Sequence, residues 1–233
     1  MPEGRRFVIG DIHGCFKTLK YLLEKILKLN RSDILYFLGD TIDRGNGSKE
    51  VLDYIRKLSD SMTVKPVMGN HEYMMVQSYF DEKFFYKWTL NGCAQTLISF
   101  GVDPKNVNDP KVVSQIPKYY LEYVSQWPKF ERTNDFIMVH AGIDGFIKDP
   151  YSDIDTLLWT RSENIPQDFE GLRKIIHGHT PIPLIQIQER VKNKTSKVLN
   201  LDGGCVYKGY AELGFLVALD LDKMEIYSIR NIE

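Results

Sequence analysis

At 233 residues, with 43% hydrophobic and 26% charged side chains, the chain can bury a sizeable core and has the make-up of a globular protein. Its 30 Lys and Arg against 31 Asp and Glu leave a formal charge of −1, from which no general attraction to nucleic acid follows. No apolar run nears the ~18 residues of a membrane span and the first ten residues are not a secretory leader, so a cytoplasmic protein with no membrane partner is expected.

Arg5 to Ile9 is a short β-type run ending in Gly10-Asp11-Ile12-His13-Gly14, after which Leu19, Leu22, Leu23, Ile26 and Leu27 mark one helical face. The pattern repeats from Ile34 to Leu38, through Gly39-Asp40-Thr41-Ile42-Asp43-Arg44-Gly45, into a helix that carries Val51, Leu52, Ile55 and Leu58 and ends near Ser59. Val64 to Met68 is a third run, broken at Gly69-Asn70-His71-Glu72. Repeated strand-loop-helix units predict an α/β core of parallel strands with the loops gathered at one edge.

From Tyr73 to Asp135 aromatic residues crowd in and no short strand pattern is evident, so a helical insertion over about 73–135 with a small satellite core is expected within a single domain spanning 1–233. A helix face with Tyr120, Leu121, Val124 and Trp127 ends at Pro128. Phe136 to Val139 runs into His140-Ala141-Gly142, and Lys174 to Ile176 into His177-Gly178-His179-Thr180. The tail, Leu184 to Val191, Lys197 to Leu201, Phe215 to Leu219 and Met224 to Ile229, reads as β-rich and antiparallel.

All five histidines, His13, His71, His140, His177 and His179, fall in these strand-end loops. With Asp11, Asp40 and Asn70 they make a mixed nitrogen and oxygen donor set without thiolate, which suits Mn, Fe or Zn better than Ca or Mg. The candidates outnumber the needs of one ion, so two ions sharing a carboxylate are expected, with Asp40 the natural bridge. Cys15, Cys93 and Cys205, far apart and outside any CxxC spacing, are read as packing residues.

Taken together, Gly10-Asp11-x-His13-Gly14, Gly39-Asp40-x-x-Asp43-Arg44-Gly45, Gly69-Asn70-His71-Glu72, His140-Ala141-Gly142 and Gly178-His179-Thr180 resemble the calcineurin-like metallophosphoesterase superfamily. Within it the chain is similar to the short bacterial and phage Ser/Thr phosphoprotein phosphatases, also in Leu158-Trp159-x-Arg161 and Asn200-Leu201-Asp202-Gly203-Gly204. The resemblance implies an αββα sandwich of two mixed β-sheets flanked by helices, with a dinuclear site between them. Asp11 and His13 would hold one ion, Asn70, His140 and His179 the other, and Asp40 both; manganese is the first expectation, iron or zinc the next. Arg44 and Arg161 would clamp phosphate. His71, oriented by Asp43, would protonate the leaving oxygen while a metal-held hydroxide attacks phosphorus in line.

The expected partner is therefore a phosphorylated protein or peptide, bound by a monomer. His177 has no family role and is read as structural, and Gly203 and Lys208 depart from the family pattern and leave that loop's geometry open. A rival is a symmetrical dinucleoside polyphosphate hydrolase, a type that commonly lacks the aspartate matched by Asp43. A rival of another class, a non-catalytic partner-binding scaffold, should have lost ligands, and none is missing.

Overall fold

The computed structural model describes residues 4–166 and 168–233. Its strands are β1 (Arg6–Ile9), β2 (Ile34–Phe37), β3 (Thr63–Pro66), β4 (Phe130–Arg132) and β5 (Phe136–Val139), then β6 (Lys174–His177), β7 (Val198–Asn200), β8 (Phe215–Asp220) and β9 (Glu225–Arg230). One sheet has the order β3-β2-β1-β8-β9, parallel from β3 to β1 and closed by the antiparallel β8–β9 hairpin. The other has the order β4-β5-β6-β7, with β5, β6 and β7 parallel and β4 antiparallel to β5.

Alternation along each strand makes the layers, because successive side chains leave opposite faces. Val8, Tyr36, Leu38, Val217 and Leu219 of the first sheet pack with Met138, Ile176 and Leu199 of the second in one buried cluster. The residues between them, Phe7, Ile9, Leu35, Phe37, Leu216 and Ala218, point the other way. There they meet Leu19 of α1 (Phe16–Tyr21) and Val51, Leu52 and Ile55 of α2 (Ser48–Ser59). Both faces of β1 and β2 are thus dry, which explains runs without polar alternation. Each fully buried Leu, Ile or Phe contributes ~1.5–3 kcal/mol.

The insertion comprises α3 (Asn70–Ser78), α4 (Glu82–Thr89), α5 (Ala94–Ser99), two 3₁₀ turns and α6 (Lys118–Ser125). Its core is no satellite: Phe85, Trp88, Leu97, Tyr120 and Val124 belong to the same buried cluster as Phe7 and Phe37. Its last residues also depart from the helical reading, since Phe130–Arg132 is β4, paired with β5. After α7 (Ile154–Trp159), the expected strand Leu184 to Val191 is instead α8 (Leu184–Lys192). Leu184, Ile187 and Val191 share a helical face that joins the intersheet cluster, while Ile185, the alternate apolar residue of the strand reading, is 58% exposed. The antiparallel tail is limited to β8 and β9; β7 lies parallel to β6.

Candidate metal centre

Backbone hydrogen bonds tie the loops that follow the strands into one cluster. The N–H groups of Ile12 and His13 both donate to the Asp40 carbonyl, that of Gly178 donates to the His140 carbonyl, and that of His179 donates to Asp11 Oδ2 at 3.0 Å. His140 Nδ1 lies 2.8 Å from the Leu38 carbonyl, so the two sheets are pinned together at the site. The loops turn tightly. Gly39, at φ 88°, passes Gly69 so closely that a Cβ there would stand 2.4 Å from the Gly69 nitrogen. His13, Asp40, Asp43, Arg44 and His179 also have positive φ, between 46° and 71°. Such residues cost about 1–3 kcal/mol each and persist only where their surroundings hold them.

Two donor clusters share Asp40. The ligand atoms of Asp40, His140 and His179 lie within 4.8 Å of one another, as do those of His13, Asp40 and His71. Asn70 Oδ1 joins the first, 2.8 Å from His140 Nε2 and 3.1 Å from His179 Nδ1. A carbonyl can only accept, so His140 carries its proton on Nδ1 and presents a lone pair at Nε2. His13 does likewise, with Nδ1 2.9 Å from the Ile42 carbonyl. His140 Nε2, His179 Nδ1 and the Asn70 oxygen therefore converge within 3.1 Å of one another, and with His179 protonated on its other nitrogen they offer three lone pairs to one cation.

Charge points the same way. Burial, then Arg44, pushes His13 well below the usual imidazole range; burial lowers His140, and burial with His140 brings His179 to about 3. All three are thus neutral at pH 7, the state in which an imidazole can hold a metal. Burial would raise Asp40, yet the opposing charge that His140, His71, His13 and His179 carry when protonated outweighs it and holds this carboxyl well below its ordinary range. Asp11 is pushed well above its range by burial, Asp202 and Asp40, and burial carries Asp202 to about 7. Asp11 Oδ1 is buried with no hydrogen-bond partner among the described residues. Buried acids crowded in this way fit a divalent cation, which discharges them.

The candidate acid and one of the two candidate clamps, Arg44, lie beside these clusters. His71 Nδ1 is 2.6 Å from Asp43 Oδ2, and its Nε2 is 3.0 Å from Arg44 Nη2 and 3.7 Å from Asp40 Oδ2. Burial lowers the pKa of His71, but Asp40 and Asp43 outweigh it and raise the net value. Arg44 also donates through Nη1 to His13 Nε2, so a metal at that nitrogen competes with the guanidinium for one lone pair. Arg161 stands apart, exposed on the loop after α7, though its charge reaches His179. His177 Nε2 lies 3.3 Å from Glu163 Oε1, and Glu163 is gripped by Arg190, which ties His177 to the 160s loop.

Glu72, Trp88 and Thr96 were not marked by the sequence reading. The Glu72 carboxylate, fully buried, accepts from the backbone N–H groups of Asp40, Thr41, Ile42 and Gly69 and from the Thr41 hydroxyl. Its place in the Gly69-Asn70-His71-Glu72 motif was a signal; Trp88 and Thr96, which reach Asp43 from the insertion, had none.

The calcineurin-like phosphoesterase family profile matches residues 4–222. A symmetrical bis(5'-nucleosyl)-tetraphosphatase of Buchnera aphidicola is 35% identical over 152 residues, 64% of this chain and 46% of that one. The enzyme of the same name from Vibrio campbellii is 32% identical over 151 residues, 64% and 47% of the two chains. This chain thus spans about half the length of the curated relatives it matches. Among solved structures, a candidate diadenosine tetraphosphatase superposes with a TM-score of 0.63 at 21% identity, over 99% of this chain and 95% of the other. A protein serine/threonine phosphatase from Saccharomyces cerevisiae gives 0.62 at 16% identity, over 100% and 82%. These two likenesses establish the fold, and the profile match over nearly the whole chain, with the converged loops, establishes that this protein belongs to the calcineurin-like phosphoesterase family.

Proposed function

We propose that this chain is a metal-dependent phosphomonoesterase whose substrates are alkyl phosphates, with the phosphoserine and phosphothreonine side chains of proteins as the substrate class. The observation that carries the reading is the buried Asp43–His71 pair at 2.6 Å. An alkoxide is a strongly basic leaving group and needs a proton as its bond to phosphorus breaks, where a positioned imidazole is worth ~10²–10⁴-fold. Asp43 fixes the Nδ1 proton and leaves Nε2 as the atom that holds and gives the second. When Nε2 is protonated, His71 and Arg44 present two facing donors 3.0 Å apart. A phosphate dianion set beside the pair, to one side of the line joining the two nitrogens, would accept from both, with the planar guanidinium holding its oxygens.

Two divalent transition ions would supply Lewis acidity toward phosphoryl oxygens and acidify water. Asp11 and His13 would hold one, Asn70, His140 and His179 the other, and Asp40 both.

A second reading is favoured by the names of the relatives that match 64% of this chain: symmetrical hydrolysis of dinucleoside tetraphosphates. Those names support it over a protein phosphatase. The leaving group there is a phosphate oxygen, weakly basic, for which the Asp43–His71 pair has little to do. One assay separates the two. The metal-stripped protein, reloaded with Mn²⁺, is offered a phosphoserine peptide, a phosphotyrosine peptide and diadenosine tetraphosphate. The first reading expects the highest kcat/KM on phosphoserine; a tenfold preference for the dinucleotide would transfer the chain to the second.

A further inference from the structure

Asp43 is fully buried, at φ 71°, and more than His71 converges on it. Its Oδ2 accepts the His71 Nδ1 proton and also the Trp88 indole N–H, each at 2.6 Å. Its Oδ1 accepts from the Thr96 hydroxyl at 2.5 Å, and its own N–H faces Thr96 Oγ1 and Ser48 Oγ, each at 3.0 Å. Trp88 belongs to α4 and Thr96 to α5, and between them the Gly92 carbonyl accepts the Arg44 N–H at 3.1 Å. The segment 88–96 of the insertion thus seats both Asp43 and Arg44.

We propose that Trp88 and Thr96 are positioning residues for proton delivery to the leaving group, acting through Asp43 on His71. The proposal rests on the phosphomonoesterase reading. A buried carboxylate with one hydrogen-bonded partner can turn about its side-chain torsions; with a donor on each oxygen it cannot, and the imidazole it holds keeps its aim at Nε2. Trp88 does more than Thr96, because it shares Oδ2 with His71. Its N–H holds the same oxygen that takes the Nδ1 proton, so it fixes the direction from which Asp43 grips the imidazole. Burial of an indole does not by itself demand such a bond here. The Trp127 N–H is also buried and has no partner among the described residues.

The test uses Trp88→Phe, which keeps an aromatic ring without the N–H, and Thr96→Val, which keeps the shape without the hydroxyl. Each is compared with wild type and His71→Asn on a phosphoserine peptide and on a series of aryl phosphates of falling leaving-group basicity. Metal content is measured by elemental analysis, and the His71 Nδ1 proton is followed by its downfield NMR resonance. In Trp88→Phe, phosphoserine turnover should fall ~10-fold or more and 4-nitrophenyl phosphate turnover at most ~3-fold. Metal content should match wild type and the Nδ1 resonance should move. Thr96→Val should show the same bias, more weakly. Equal losses on all substrates in Trp88→Phe, beside a clear leaving-group bias in His71→Asn, would reduce Trp88 to a packing residue and leave the acid reading intact. No bias in His71→Asn itself would remove the acid reading, and the proposal with it.

Discussion

A single carboxylate, that of Glu72, governs how Asp40 is presented to the two donor clusters. Asp40 sits at φ 47°, and its N–H is held at 2.9 Å by Glu72 Oε2, the oxygen that also takes the Gly69 N–H at 3.0 Å. The other oxygen takes Thr41 and Ile42. Glu72 therefore fastens the loop that carries Asp40 to the loop that carries Asn70 and His71, and offsets the strain of the left-handed turn. Glu72→Gln keeps the volume but turns a donor toward at least one pair of these N–H groups, at about 1–3 kcal/mol for each buried group left unsatisfied. At this chain length 1 kcal/mol is worth about 2–4 °C. The expected outcome is a Tm lower by several degrees in calorimetry and ~10–100-fold weaker Mn²⁺ binding. A variant that binds Mn²⁺ as tightly as wild type would relieve Glu72 of this role.

At the scale of elements, β1 and β2 are joined before their ladder begins. Asp33, just ahead of β2, is buried and accepts from the Arg5 backbone and guanidinium and from the Asn30 backbone and side chain. The same guanidinium donates to the Leu27 and Lys28 carbonyls, just past the π-helical turn Leu22–Ile26 that continues α1. Burial would raise the Asp33 pKa, but the Arg5 and Asn30 hydrogen bonds outweigh it and hold the carboxyl below its ordinary range. A depressed folded pKa stabilises above the unfolded value of ~3.9 and is lost as pH falls through the folded one. Asp33→Asn should therefore lower stability by about 1–3 kcal/mol at pH 7. The gap to wild type in denaturant unfolding should narrow below about pH 4. A gap that persists unchanged into acid would assign the effect to packing.

For the molecule as a whole, the stacked sheets and the insertion enclose buried acids that are ill at ease without a cation. Ion binding to the folded state alone stabilises by RT ln(1 + [L]/Kd), ~2.7 kcal/mol at a hundredfold excess over Kd. Chelation should then lower Tm by roughly 5–10 °C, and Mn²⁺ should restore it, two ions per chain by elemental analysis. Asp40→Asn should lose most of that gain, because it weakens both clusters together; a gain equal to that of wild type would argue against a shared bridge. The strand-loop-helix units and most of the donor set were legible in the sequence because each is local. An apolar run that breaks at glycine into Asp or Asn is by itself ordinary turn chemistry, but its recurrence with all five histidines gathered in such loops points to a shared polar site. Arg161, placed among the clamps by its motif, stands exposed at the rim, and Glu72, Trp88 and Thr96 acquire their contacts from 32, 45 and 53 residues away. Contacts at such distance leave no periodic trace. Residues 184–191 carry both an alternating and a helical apolar pattern, and burial of Ile187 and Val191 between the sheets decided for the helix. Local chemistry set what could gather at the strand ends; the packing of the insertion on the first sheet decided which side chains would hold it there.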